Sequence, residues 1–591
     1  MKKLLILSGM MATAAVQANT QLETQTVTAT RLPENIINDA QFIVIDRAKI
    51  ELSNAQSLPE LLNLEAGFQV NRNGGRLSAT TTYINGLDNK RTLVLVNGER
   101  IGSATLGSTS IQLISPQQIE RIEIIRGPRG ALYGGDAQAG VINIITRKQS
   151  AGSQIAAAYG SNKTRELTFR TAHTVGKTNL YFNAQHDATD GYDVLADEES
   201  DDDGHERYSI ATGAAVHISE QQNLSLDYQR NKGNLEYDGN NSGSNNTDFD
   251  KQALSANYHL TLKQLTLSAA AGRSEDNSWS YKDSELRTPD DLIATTKNTA
   301  SVIGRYQLNE SHAVILGSDY LSANVAESSV EYDETDDRTT GIITGYRYSN
   351  DVISLELGAR HDNNNRFGKF RSFNTTAVLT ADNGDVITIS QATAYRTPTF
   401  NELYWPGYGN PDLETERSRI YSLNYSLPYD NGSLLFSGQR AVFNNQISGG
   451  DNVGKSSVDA VSVVWKQDWN QTISSQLSQE WVDAKNDETQ KRLRRISPRA
   501  SKAIVTYQSG NISTQIEGLY TEGAPISDGG ERLASYSVFN TSINYNASDD
   551  LTLSLRVDNI ADREYHNIIN WRNEPYHAPR RTWLLKSRYN F

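Results

Sequence analysis

Aspartates gather in two short stretches of the chain, among them Asp193, Asp201, Asp202 and Asp203, then Asp238, Asp248 and Asp250. Carboxylate oxygens are the hard donors that calcium takes, six to eight at a time. One stretch alone does not supply them. With Glu199, Asp201, Asp203 and Gly204 at positions 1, 3, 5 and 6 of an EF-hand loop, position 12 is Ile210 where a bidentate Glu belongs. A cation would have to draw on both stretches; the plain alternative is two solvated loops. Other chemistries are excluded more directly. Cysteine is absent, which removes disulfides, thiolate metal sites and thiol catalysis. The nine histidines contain no H-x-x-x-H pair, the spacing of a helix-borne catalytic zinc site. Gly127-Pro-Arg-Gly130 lacks the dinucleotide order, and Gly135 to Gly140 is followed by Val141, not by Lys-Ser/Thr, so neither glycine run cradles a phosphate. With 56 Lys+Arg against 70 Asp+Glu, a net charge of -14, the footprint of a nucleic-acid binder is missing.

The elements that must position these residues follow two grammars. Lys2 and Lys3, an apolar stretch from Leu4 to Val16, and Val16-Gln17-Ala18 read as a signal peptide over residues 1–18. The stretch is shorter than the roughly 20 residues that span a bilayer, and no later run supplies 18 apolar residues. An exported chain of this kind is either soluble or a membrane β-barrel, since only helices and closed barrels satisfy the backbone in lipid. From Gln41 to Lys148 the pattern is a small α/β domain. Phe42–Ile45, Thr92–Val96, Ile122–Ile125 and Val141–Ile145 read as short buried strands, and Ser57 to Leu64 as a helix with Ser57 as cap and Glu60 closing a capping box.

After Lys148 the pattern becomes strict alternation. Leu551, Leu553, Leu555 and Val557 alternate with Thr552, Ser554, Arg556 and Asp558, and at the C-terminus Trp583, Leu585, Tyr589 and Phe591 share a face opposite Lys586, Arg588 and Asn590. Tight turns such as Asp382-Asn-Gly384 and Asp430-Asn-Gly432 alternate with long polar segments, Asp193 to Arg207 and Asp238 to Lys251 among them. About 440 residues in strands of ~10 fit a transmembrane antiparallel β-barrel of about 22 strands, with the α/β domain as a plug in its lumen. Half of each strand faces a polar lumen, which is how a mean hydropathy of -0.56 is compatible with a membrane protein.

Several stretches resemble the TonB-dependent outer-membrane receptors: Glu23-Thr24-Gln25-Thr26-Val27-Thr28-Ala29 is similar to their TonB box, and Arg121 to Asp136 with Gly140 to Ile145 to their plug signature. Tyr395 to Tyr404, Gly409 to Leu413, Asn559 to Tyr565 and the terminal Phe591 extend the resemblance to the C-terminus. It implies a signal peptide over 1–18, a periplasmic segment with the box over 19–34, a plug over 35–148 and a barrel over 149–591. It further implies TonB-driven import across the outer membrane of a Gram-negative bacterium by a monomer set in lipid and lipopolysaccharide, with no catalysis. An extended Thr/Val segment suits this role, because it can add to a partner's sheet edge. Within the family the resemblance is to cobalamin (vitamin B12) receptors, carried by Asn73-Gly-Gly75, Leu93 to Gly98, Gly191 to Val194 and Tyr408 to Pro411.

That likeness implies a calcium site from Asp193, Asp201, Asp203, Asp238 and Asp248 that orders the extracellular loops. It also implies substrate contacts from Asn73, Leu77, Ser78, Asp88, Thr105, Leu106, Gly107, Ser108 and Tyr237. The sequence departs from that pattern in the short spacer before Leu77-Ser78 and in the charged Asp88-Asn-Lys-Arg91. A siderophore or haem receptor on the same architecture is the alternative, and an outer-membrane enzyme or adhesin barrel a remoter one. Arg126 and Arg129, buried in a plug, are expected to pair with barrel carboxylates.

Overall fold

The computed structural model describes residues 25–27, 31–32, 34–36, 41–148, 152–195, 201–238, 244–282, 285–527, 530–570 and 572–591. The signal peptide and Glu23, Thr24, Thr28 and Ala29 of the box lie outside them.

The apolar runs of the first domain pair into one five-stranded sheet in the order Phe42–Ile45, Ile119–Arg126, Gly140–Thr146, Thr92–Val96, Glu99–Arg100. Only Thr92–Val96 and Gly140–Thr146 run parallel. Because these strands are apolar on both faces, both faces are covered. Ile122, Ile124, Ile142 and Ile144 are fully buried against the helices Arg47–Ser53 and Leu58–Asn63, and the same core continues into the barrel wall through Ile420, Phe443, Val458 and Val482. Each such side chain contributes about 1.5–3 kcal/mol by leaving water. One helix start differs from the expected capping box. Glu60 accepts from the Gln56 N–H at 2.9 Å, and Ser57 Oγ accepts from Arg72 at 3.0 Å instead of capping the helix. Arg72 competes for the hydroxyl because the strand that carries it, Phe68–Arg72, packs back on this helix.

The remainder is a closed barrel of 22 antiparallel strands, from Gly152–Gly160 to Thr582–Asn590, which pair with each other from Gln154↔Asn590 to Gly160↔Leu584. Alternation sets the faces. Trp583, Leu585, Tyr589 and Phe591 point outward, while Lys586 and Arg588 point inward to Glu166 and Glu51. No helix among the described residues is long and apolar enough to cross a membrane, so any crossing is made by strands. At one end every connection has two to five residues, and at the other run the long segments 190–204, 237–245, 397–415 and 559–581. The short-turn end is the periplasmic one in outer-membrane barrels. One long segment is shorter than expected: the strand Asn246–Thr261 already contains Asp248, Asp250 and Lys251. Strands here reach 17 residues, well past the 9–11 that cross a bilayer, so polar strand ends project beyond the membrane.

Candidate ligand vestibule

Three turns of the plug face the long-loop end of the barrel. The first is Asn73 to Ala79. Its Leu77 is fully buried with Leu113 and Phe249, so it anchors the turn and offers a ligand no surface. Ser78 is also buried, its N–H donating to the Gly75 carbonyl, whereas Asn73 is partly exposed and Ala79 exposed. Asp88 opens the second turn and accepts from Arg91 at 2.8 Å. Arg91 in turn meets Glu416 of the barrel at 2.5 Å, and Lys90 meets Glu402 at 2.8 Å. The cations of this turn are thus spent on carboxylates rather than presented. The third turn carries Thr105 to Ser108. Thr105 is buried against Ser103, and its carbonyl accepts from the Asn401 N–H of the helix Phe400–Tyr404, while Leu106 stands 52% exposed. Above the same helix Trp405 and Tyr408 are exposed, which adds aromatic surface to the rim. Tyr237 is half-buried, its hydroxyl 2.7 Å from Ser244.

The aspartates separate into two groups. Asp203 is buried, and its Oδ2 accepts from the Val194 N–H at 3.0 Å. Asp238 is buried beside it, and burial together with the Asp238 and Asp201 charges pushes the Asp203 carboxyl up to about 8. Asp193 lies in the same loop with a buried Oδ1 that has no hydrogen-bond partner among the described residues, and Asp201 is exposed at its rim. Asp248 is not brought to them. Its strand neighbour Phe249 points into the lumen, so Asp248 points outward and is held by Arg287 at 2.7 Å, Asn234 at 2.8 Å and Tyr281 at 3.1 Å.

Gly191 makes the close packing of this loop possible: its φ is +76°, and a Cβ there would lie 1.8 Å from the Asp203 carbonyl oxygen. The loop also ties its neighbours together. Tyr192 donates to the Gly74 carbonyl of the plug at 3.1 Å, and Val194 accepts from the His577 N–H of the last long segment at 3.0 Å.

Beneath the vestibule the plug is held by buried ions. Arg76 meets Glu166 and Asp187 of the barrel at 2.7 and 2.9 Å, and Arg556 of the barrel meets Glu517 at 2.8 Å while donating to the Ser53 carbonyl of the plug. Other arginines thus make plug-to-barrel contacts of the kind expected of Arg126 and Arg129. Arg129 donates to Gln41 at 2.9 Å and lies over Phe42, and Arg126 donates to the Ala66 carbonyl. Beside the strand Glu99–Arg100 a cavity of ≈ 730 Å³ runs between plug and wall, lined by Thr399 and Phe400 towards the vestibule and by His217 and Asn223 towards the short-turn end.

Comparison with known proteins agrees with this architecture along nearly the whole chain. Residues 38–141 match the family model of the TonB-dependent receptor plug domain, and residues 152–560 that of the TonB-dependent receptor-like β-barrel. In sequence the chain is 27% identical over 601 residues to a "Vitamin B12 transporter BtuB" of Vibrio vulnificus strain YJ016, covering 98% of this chain and 96% of that one. It is 27% identical over 590 residues to the protein of that name from Photobacterium profundum, covering 96% and 95%. Among solved structures it is similar to the copper transporter OprC, with a TM-score of 0.78 at 18% identity over 94% of this chain and 98% of that one. It is also similar to the siderophore receptor PirA of Acinetobacter baumannii, with a TM-score of 0.79 at 16% identity over 93% and 98%.

Proposed function

We infer that this chain, which belongs to the TonB-dependent receptor family of outer-membrane transporters, takes up a cobalamin-class corrinoid. The observation that carries the cargo is collinearity: the two vitamin B12 transporters align with it over at least 96% of its length. The vestibule supports it. A corrinoid is large and rimmed with amides, and suits small polar turns, backbone donors and aromatic edges. A catecholate or hydroxamate siderophore would favour unpaired cations, yet Lys90 and Arg91 are bound to Glu402 and Glu416. The deciding experiment is growth of a deletion strain. Loss of cobalamin-dependent growth, restored by this chain, supports the reading; loss only under iron limitation overturns it.

Calcium fits in kind the donor set that the 190–204 loop and Asp238 of the next long segment bring together. Asp193, Asp201, Asp203 and Asp238 supply hard oxygens, one of them already buried without a partner among the described residues. Bound there, the cation would neutralise adjacent carboxylates and order the loop in advance, removing that entropy from ligand binding. Cobalamin affinity of the purified receptor is therefore expected to rise with calcium and to lose that response in Asp203→Asn/Asp238→Asn; an equal affinity in chelator and calcium counts against the site. The pH sense follows. The folded Asp203 value lies above its unfolded value of about 3.9, so without metal the loop is most stable at low pH and loses stability as pH rises towards 8. Calcium must displace that proton, so its affinity is expected to increase up to about pH 8, near tenfold per unit for one proton released. Gly191→Ala is expected to weaken calcium binding at least about tenfold, since a left-handed alanine costs about 1–2 kcal/mol and its Cβ displaces Asp203. A calcium titration reads this directly.

A further inference from the structure

We infer that Glu564, His566 and His577, on the last long segment of the barrel, form a binding site for one borderline divalent cation of the zinc class. One donor atom from each lies within 4.8 Å of the others. Tetrahedral donors at zinc's 2.0–2.1 Å stand about 3.3 Å apart, so closing the site takes at most about 1.5 Å of side-chain movement. Two imidazoles and one carboxylate leave a fourth position for water, and this donor set selects zinc or copper over calcium.

The site is prepared from behind. His566 Nδ1 lies 3.1 Å from the Tyr576 carbonyl oxygen, which can only accept, so Nδ1 carries the proton and Nε2 presents its lone pair. A backbone carbonyl on the far nitrogen is the usual outer partner of a metal-binding histidine. Tyr565, next in the chain, stacks on Tyr536 with ring centres 4.4 Å apart, and Ile568 and Ile569 are buried. His577 is pinned by its N–H to Val194 and by its carbonyl, which accepts from Tyr192 at 3.3 Å. The rings of His566 and His577 meet edge to face, 5.0 Å apart at 67°, which brings the two imidazoles together at one point of the segment. Glu564 makes an exposed pair with Arg580 at 3.2 Å, and Arg580 keeps Asp562 if Glu564 turns away. A cation here would clip the base of the turn between residues 566 and 577, whose tip closes through the Ile569↔Pro575 bridge, against the loop that carries Asp193 and Asp203.

The test is calorimetric titration of the chelator-treated, purified full-length receptor with zinc sulfate in calcium-containing buffer. One site per chain is expected, weakened more than about tenfold in His566→Ala and in His577→Ala. Glu564→Gln, on a side chain 60% exposed and therefore harmless to folding, is expected to weaken it as well. Asp203→Asn is expected to bind zinc as the native chain does. Absence of a stoichiometric site, native affinity in the Glu564 and histidine variants, or loss of zinc only in Asp203→Asn would each overturn the proposal. No corrinoid enters this measurement, so its outcome is independent of the cargo.

Discussion

Val27→Pro is expected to abolish uptake while leaving ligand affinity unchanged. Gln25–Val27 pairs antiparallel with Glu34–Ile36 through Gln25↔Ile36, Thr26↔Asn35 and Val27↔Glu34. A ribbon of three residues a side is weak by itself and leaves one edge of backbone donors and acceptors open. A periplasmic partner can add to that edge or replace Glu34–Ile36, and in either case it is the main chain that is recognised. Proline at 27 removes an N–H and fixes φ near -65°, which a ladder does not tolerate inside a strand. Leu32, five residues on, packs on Ile303 and Ile315 beside the short turn 308–311, at the end of the barrel away from the vestibule, so ligand binding is not expected to sense the change. Transport of labelled cobalamin into cells, set beside equilibrium binding to isolated outer membranes, separates the two effects. Thr26→Ala keeps the backbone donor and is expected to transport almost normally. Native transport by Val27→Pro would remove the box from the energy-coupling role.

The barrel and the plug sheet were legible because their signals are local. A period of two places Trp583 and Lys586 on opposite faces whatever else the chain does, and an all-apolar run such as Thr92–Val96 is buried wherever it lands. Site residues depend on where elements end and dock, which the pattern does not encode. Asp248 read as loop because polar alternation continues past the membrane, where strand and loop share a composition; its outward direction follows from the inward Phe249. Leu77 sits at the right place in the chain but under the surface, because Phe249 and Leu113 leave a pocket only an apolar side chain fills. His566 and His577 are eleven residues apart, a spacing without any helical or strand periodicity, and meet only because the intervening turn folds back through Asn570 and Glu574. The plug's arginines posed the same problem. Charge burial demanded partners, but Arg76 and Asp187 lie 111 positions apart, and only docking decides which arginine reaches which carboxylate.

That docking is where the second large effect is expected: Asp187→Asn should release the plug at far lower denaturant. Asp187 is fully buried and takes Arg207 Nε at 2.8 Å, Arg76 Nη2 at 2.9 Å and His205 Nε2 at 3.3 Å. The clasp is reciprocal. Arg76 reaches from plug to barrel, while Arg207 reaches from barrel to plug and donates to the Leu113 carbonyl at 3.1 Å. Asparagine preserves the volume but strands Arg207, 1% exposed, beside carbonyls alone. Removing one partner of such a pair costs about 3–5 kcal/mol, because the remaining charge stays buried. With a denaturant dependence of about 2 kcal/mol per molar urea, the midpoint for plug release should fall by about 1.5–2.5 M. The chain has no cysteine, so a single one placed at buried Ala131, whose helix Gly130–Tyr133 packs on the barrel wall, becomes reactive only on release and reports it by thiol labelling without background. Glu166→Gln should cost less, since Arg76 keeps Asp187. Asp187→Asn/Arg207→Gln should recover part of the loss, because the stranded cation is gone; a double variant no more stable than Asp187→Asn would mean that the carboxylate acts through shape and not through charge.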